Sequence, residues 1–145
     1  MTEPLIARMT AEELGRFLED HFPGMNSRES RFTVEAVNGR SVRLRMSYHD
    51  RMLRPGGTIS GPAMFALADI SMYAAVLALV GPRLLAVTTS LNINFLRKPG
   101  PADMLGEATI LKLGKRLAVG EIGLRSVGED ELVAHATATY AIPAE

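Results

Sequence analysis

The sequence has no cysteine among its 145 residues, which excludes disulfides, thiolate metal sites and cysteine nucleophiles. Neither sign of charge prevails, since sixteen Lys and Arg balance sixteen Asp and Glu. No global field therefore points to nucleic acid or to an anionic membrane as a partner. There is no HExxH, no paired His–carboxylate spacing and no glycine-rich phosphate loop. Metal and nucleoside-triphosphate chemistry lack support, and no cofactor is expected. Internal repeats, linkers and low-complexity tracts are absent too. The opening MTEPLIARMT is too polar and too acidic for a secretory signal, so the expectation is a cytoplasmic protein.

What is present fits a globular chain with a real core: hydrophobic residues make up 47% and charged residues 22%. One domain is expected over 1–145, with 1–29 as an N-terminal helical segment packing on it. Thr10-Ala-Glu-Glu13 is a capping-box pattern. It predicts a helix from Ala11 to His21, with Leu14, Phe17 and Leu18 inward, ended by Pro23 and Gly24. Arg31–Val37 and Ser41–Ser47 alternate in polarity around Asn38-Gly39, a dipeptide preferred by type I′ hairpin turns. Residues 48–60, YHDRMLRPGGTIS, read as a loop. Beyond the central apolar run, Gly81-Pro82 is a stop, and strands are expected over Leu84–Leu96, Met104–Leu113, Leu117–Val127 and Glu131–Ile142.

The run from Ala63 to Val80 is long enough to test as a membrane span. Asp69 near its centre costs about 2.5–3.5 kcal/mol on insertion scales, and there is no second candidate segment. A helix apolar all round is better explained by protein on every side. The fold class is therefore α+β, a curved antiparallel sheet of five to six strands wrapped round one long helix. Such a helix, covered on one side by its own sheet, still needs its other side covered. A homo-oligomer with the dimer as minimum unit follows.

Residues 54–69, RPGGTISGPAMFALAD, resemble the active-site segment of hotdog-fold acyl-CoA thioesterases of the phenylacetyl-CoA (PaaI-like) type. Further on, LNINFLRKPGPAD at 91–103, Gly114-Lys115-Arg116 and ELVAHATATYAI at 131–142 are similar to that family's later strands and turns. The family segment carries an Asn, a Gly and then His-Gly-Gly, with a catalytic acid nine residues after the His. Here Arg54 stands at the Asn, Ser60 at the His, Gly61 and Pro62 at the two glycines, and Asp69 at the acid. The resemblance covers roughly residues 30–142. It implies a hotdog fold, a homotetramer, and hydrolysis of an acyl-CoA thioester to free acid and CoA, with CoA a part of the substrate. A non-catalytic acyl-CoA binder and a hotdog hydratase or dehydratase are the alternatives. The latter usually carries a His–carboxylate pair near the helix, and position 60 has no His.

The resemblance implies that Asp69 is the general base for water, or attacks the thioester carbonyl itself. The plainer alternative is a buried acid that braces the helix. Gly61 offers its N–H to polarise the carbonyl, or merely permits a tight turn. Eight residues separate the two, about 12 Å along a helix at roughly 1.5 Å per residue. One carbonyl cannot touch both within a chain, so joint action requires Asp69 of one subunit and Gly61 of another. Thr88 aligns with a hydroxyl residue that positions water in some relatives, or is simply a strand-favouring Thr. Gly57 and Ser60 complete the loop around the substrate. Asn92, with Asn94, is placed to line the cleft. Arg54 either anchors a carbonyl or carboxylate, or pairs with Asp50 or another loop acid. Arg97, Lys98, Lys115 and Arg116 stand where the family holds the CoA nucleotide and phosphates, although surface Lys and Arg are usually just solvated. Met64, Phe65, Met72 and Tyr73 are expected in the core and acyl-pocket wall.

Overall fold

The computed structural model describes residues 5–23, 25–26 and 31–144. The predicted Gly24 stop and part of the 1–29 segment lie outside them. Thr10 caps α1 (Ala11–His21) through the reciprocal Thr10–Glu13 capping box, and Leu14 and Leu18 are buried. The chain continues through β1 (Arg31–Asn38), β2 (Ser41–Ser47), β3 (Leu53–Arg54), β4 (Thr58–Ile59) and α2 (Gly61–Val80). It ends with β5 (Val87–Phe95), β6 (Met104–Leu113), β7 (Leu117–Ser126) and β8 (Ala134–Ala141). Six strands form one antiparallel sheet in the order β1-β2-β6-β7-β8-β5, and β3 and β4 form a separate two-stranded ribbon. The segment expected to be a plain loop therefore holds a 3-10 turn at Asp50–Met52 and that ribbon.

The sheet curves round α2, which packs mainly on β6, β2 and β7. This is the hotdog architecture that the residue pattern predicts. Most of α2 is buried, although by length and composition it could cross a bilayer. Leu67, Met72 and Leu77 meet Leu44, Met46, Ile110 and Ile122 in the core. Each such large side chain contributes about 1.5–3 kcal/mol on full burial.

The first hairpin departs from expectation. Asn38 pairs with Ser41, so the turn is Gly39-Arg40. Of these two, only Gly39 is left-handed, with φ 62, and among the described residues no non-glycine residue has positive φ. That is the pattern of a type II′ turn rather than I′. A bulge between Val34 and Ala36 moves the register by one residue. Glu35, at the bulge, accepts from Arg43 Nε at 3.1 Å and Arg45 Nε at 2.6 Å.

Close approach of helix and sheet depends on small residues. A Cβ on Gly120 would stand 2.7 Å from Met72 Sδ and 2.8 Å from Thr109 O, a backbone atom that cannot swing away. Gly120→Ala is expected to lower stability by about 1–3 kcal/mol, read as a lower urea midpoint. Gly123→Ala is the control, because its Cβ would press only on the flexible tip of Leu132.

Candidate active site

Most of α2 is covered, but Pro62, Phe65, Ala66 and Asp69 are exposed or half-buried. Their spacing puts them on one helical face, which the sheet leaves open. Asp69 emerges there opposite the paired ends of β5 and β8, where Thr88 and Tyr140 are cross-strand partners. Thr88 Oγ1 donates to Asp69 Oδ1 at 2.7 Å, and Tyr140 OH donates to the same oxygen at 2.7 Å. Tyr140 OH also lies 3.1 Å from the Asp69 main-chain oxygen. Among the described residues Oδ2 accepts no hydrogen bond. Burial pushes the Tyr140 phenol far above the usual tyrosine range. Thr88 opposes this with a smaller lowering, and the Asp69 carboxylate adds to the rise. Its proton is therefore a fixed donor.

An aromatic wall adjoins the acid. The Tyr73 ring stacks on Tyr140 at 6.1 Å between centroids, and Phe22 tilts against Tyr73 at 5.6 Å. Tyr73 OH donates to Leu84 O at 3.0 Å and so ties down the segment after α2. With His21, Leu85 and Val87, these residues and Asp69 line an open cleft of about 530 Å³. Tyr73 and the acid thus share one cavity. Met64 and Met72 are core, whereas Phe65 is 40% exposed.

Ser60 caps α2, its Oγ accepting from Ala63 N at 3.3 Å. Gly61 is the first helical residue, and its N–H has no intrahelical acceptor. The Phe95 ring covers this glycine closely enough that a Cβ would sit 3.4 Å from Cζ. Ser60 N donates to Met52 O at 2.7 Å, Gly57 N to Arg54 O at 3.1 Å, and Ile59 N to Pro99 O at 3.3 Å. These bonds gather Arg54, Gly57, Ser60, Gly61 and Lys98 around the start of α2. The Arg54–Asp50 pair, one of the two readings of Arg54, does not form: Asp50 accepts from Tyr48 OH at 2.6 Å. Among the described residues the Arg54 side chain has no partner. Arg97 pairs with Glu131.

Two expectations about location change. Asn92 lies on the sheet face away from α2. A bulge between Thr88 and Ser90 turns Leu91 and Ile93 inward with Thr88, against Ala138 and Ala136. Lys115 and Arg116 sit in the β6–β7 turn beside Val80, about 17 Å beyond Asp69 along the helix. Within one chain they are far from Gly61.

Tyr140 is the site residue that the sequence did not announce. Its signal lay in the alternation of β8, whose inward positions are Ala134, Ala136, Ala138 and then Tyr140. Three alanines let α2 approach the sheet, and the single large side chain falls at the level of Asp69.

A long helix wrapped by a six-stranded sheet, with an acid on the helix's open face and a glycine at its start, defines a hotdog-fold protein. The family model described as the Thioesterase superfamily matches residues 56–133. The chain belongs to that superfamily. It is similar to the crystal structure of a Silicibacter sp. TM1040 protein provisionally named a thioesterase, with 45% identity and TM-score 0.87 over 98% of this chain and 97% of that one. A Ralstonia eutropha JMP134 structure, provisionally named a thioesterase and a phenylacetic acid degradation-related protein, is 26% identical with TM-score 0.71, covering 77% of this chain and 84% of that one. A Halobacterium salinarum protein provisionally named an esterase is 28% identical over 97 residues, 63% of this chain. The matched region spans 64% of that relative's own length.

Proposed function

We propose that the chain hydrolyses an acyl-CoA thioester to the free acid and CoA, and the clamped Asp69 carboxylate carries this reading. One carboxylate oxygen is held by two hydroxyls, the other accepts no hydrogen bond among the described residues, and the side chain lines an open cleft, as a base or nucleophile requires. In the general-base form, Oδ2 takes a proton from water as the water oxygen bonds to the carbonyl carbon. The carbonyl electrons move onto oxygen, and the Gly61 N–H donates a hydrogen bond to that oxyanion. Collapse of that intermediate breaks the C–S bond, and CoA departs as a thiolate. Direct attack by Oδ2 on the carbonyl carbon breaks the C–S bond, expels CoA as a thiolate and gives an anhydride that water then opens to the acid and the Asp69 carboxylate.

The two groups come from different protomers, given the roughly 12 Å that separates them along α2. The edge supports this arrangement. β5 has β8 on one side, and on the other no strand among the described residues pairs with it. Val87 and Phe95 are 55% and 50% exposed, and such an edge invites pairing with a second copy. A homodimer, with a tetramer as the larger assembly, is our proposal for the working state. The phenylacetyl-CoA type of substrate, the cytoplasmic location and CoA contacts from Arg54, Arg97, Lys98, Lys115 and Arg116 belong to the same reading. Departures at Arg54, Ser60 and Pro62 favour, as a second reading, a binder without turnover.

Purified protein offered a panel of aromatic and aliphatic acyl-CoAs is expected to release free thiol from at least one, followed with a thiol reagent. Saturable binding without thiol release would give the binder reading its case. A single turnover in ¹⁸O-water separates the two chemical routes, because only the anhydride route can leave label in the Asp69 carboxylate.

A further inference from the structure

We infer that Tyr140 is a positioning residue for the Asp69 carboxylate, fixing Oδ1 jointly with Thr88 so that Oδ2 is the oxygen presented to water or to the thioester carbonyl. This inference deepens the hydrolase reading and rests on it. It starts from the coincidence of two donors on one oxygen, each at 2.7 Å. Thr88 and Tyr140 are directly opposed in the β5–β8 ladder, so backbone pairing sets the spacing of the two hydroxyls. The bulge after Thr88 keeps that side chain inward while the rest of β5 changes phase.

The phenol itself has little freedom. Tyr140 is 3% exposed, and its ring stacks on Tyr73. The Tyr73 hydroxyl is anchored on Leu84 O. The series Leu84 to Tyr73 to Tyr140 to Asp69 joins two hydroxyl hydrogen bonds through one ring stack, and brings only neutral side chains to the acid. With Oδ1 pinned by two directions of hydrogen bonding, rotation of the carboxylate plane is restricted. An oxygen already aimed into the cleft needs no reorientation at the moment of proton transfer.

A merely structural tyrosine is the competing account, since the same hydroxyl also reaches the Asp69 main-chain oxygen. Tyr140→Phe separates them because it removes the hydroxyl and retains the stacked ring. The positioning role predicts a kcat lower by about 10- to 100-fold, with KM within about twofold. A structural role alone predicts lower thermal stability with kcat and KM unmoved. An active wild type whose Tyr140→Phe form keeps kcat within about threefold overturns the inference alone. A wild type that releases no thiol across the panel overturns the hydrolase reading, and the inference falls with it.

Discussion

Asp69→Asn is expected to lower kcat for thiol release by about 10²- to 10⁴-fold, the range that removal of a general base or nucleophile spans. The carboxamide has nearly the shape of the carboxylate, and its oxygen can still accept from Thr88 and Tyr140. What it lacks is a basic or nucleophilic oxygen in the direction of Oδ2. Folding should therefore be retained, with melting temperature close to that of the wild type. Asp69→Ala should be equally inactive for a different reason. It strips both hydroxyls of their shared acceptor, and Tyr140 is left with the main-chain oxygen at 3.1 Å. A stability loss of about 1–2 kcal/mol is expected for Ala over Asn, from buried hydrogen bonding no longer satisfied. Thiol release and thermal melts on the same two preparations make the comparison. Hydrolysis unchanged in both variants would sink the role of Asp69. Two inactive variants that also fail to fold would point to the bracing role instead.

Periodicity and punctuation announce the fold of this chain well, and the chemistry only in part. The capping box places the start of α1, and the apolar run bounded by Ser60 and Gly81 places α2. Those signals are local, so they survive any tertiary context. The errors occur where a bulge intervenes. The first hairpin, with its bulge at Glu35, turns at Gly39-Arg40 rather than Asn38-Gly39, and the bulge after Thr88 sends Asn92 to the far face. A bulge inserts a residue without an apolar signature, and alternation beyond it reverses. Asp69 stood out because a lone charge in an apolar helix has few explanations. Tyr140 did not, because a tyrosine ending a strand is ordinary until pairing register sets it against Thr88. Tertiary context also decides Arg54 against Asp50, since both lie in a segment whose turn and ribbon were not foreseen.

Two inactive variants mixed as one oligomer should recover about one quarter of wild-type activity, if each site takes Asp69 from one subunit and Gly61 from its partner in a twofold dimer. Gly61→Pro is the suitable second variant, because proline deletes the N–H while the first helical position tolerates it. The preceding Ser60 has φ −72 and ψ 155, the extended backbone that a following proline demands. Alone, this variant should lose about 10²- to 10³-fold in kcat, the usual effect of removing one oxyanion donor. Mixed with Asp69→Asn and refolded together at equal amounts, half of the dimers combine one chain of each kind. In such a dimer one site holds both lesions and the other holds neither, so half of its sites are intact. The product is the quarter stated above. Mixing without exchange of subunits gives the baseline against which that recovery is read. Activity no greater than the sum of the parents, with subunit exchange verified by differently tagged chains, would place both groups in one chain's site. That outcome conflicts with the separation of Gly61 and Asp69 by two turns of α2. It would require the carbonyl to be polarised by something other than the Gly61 amide.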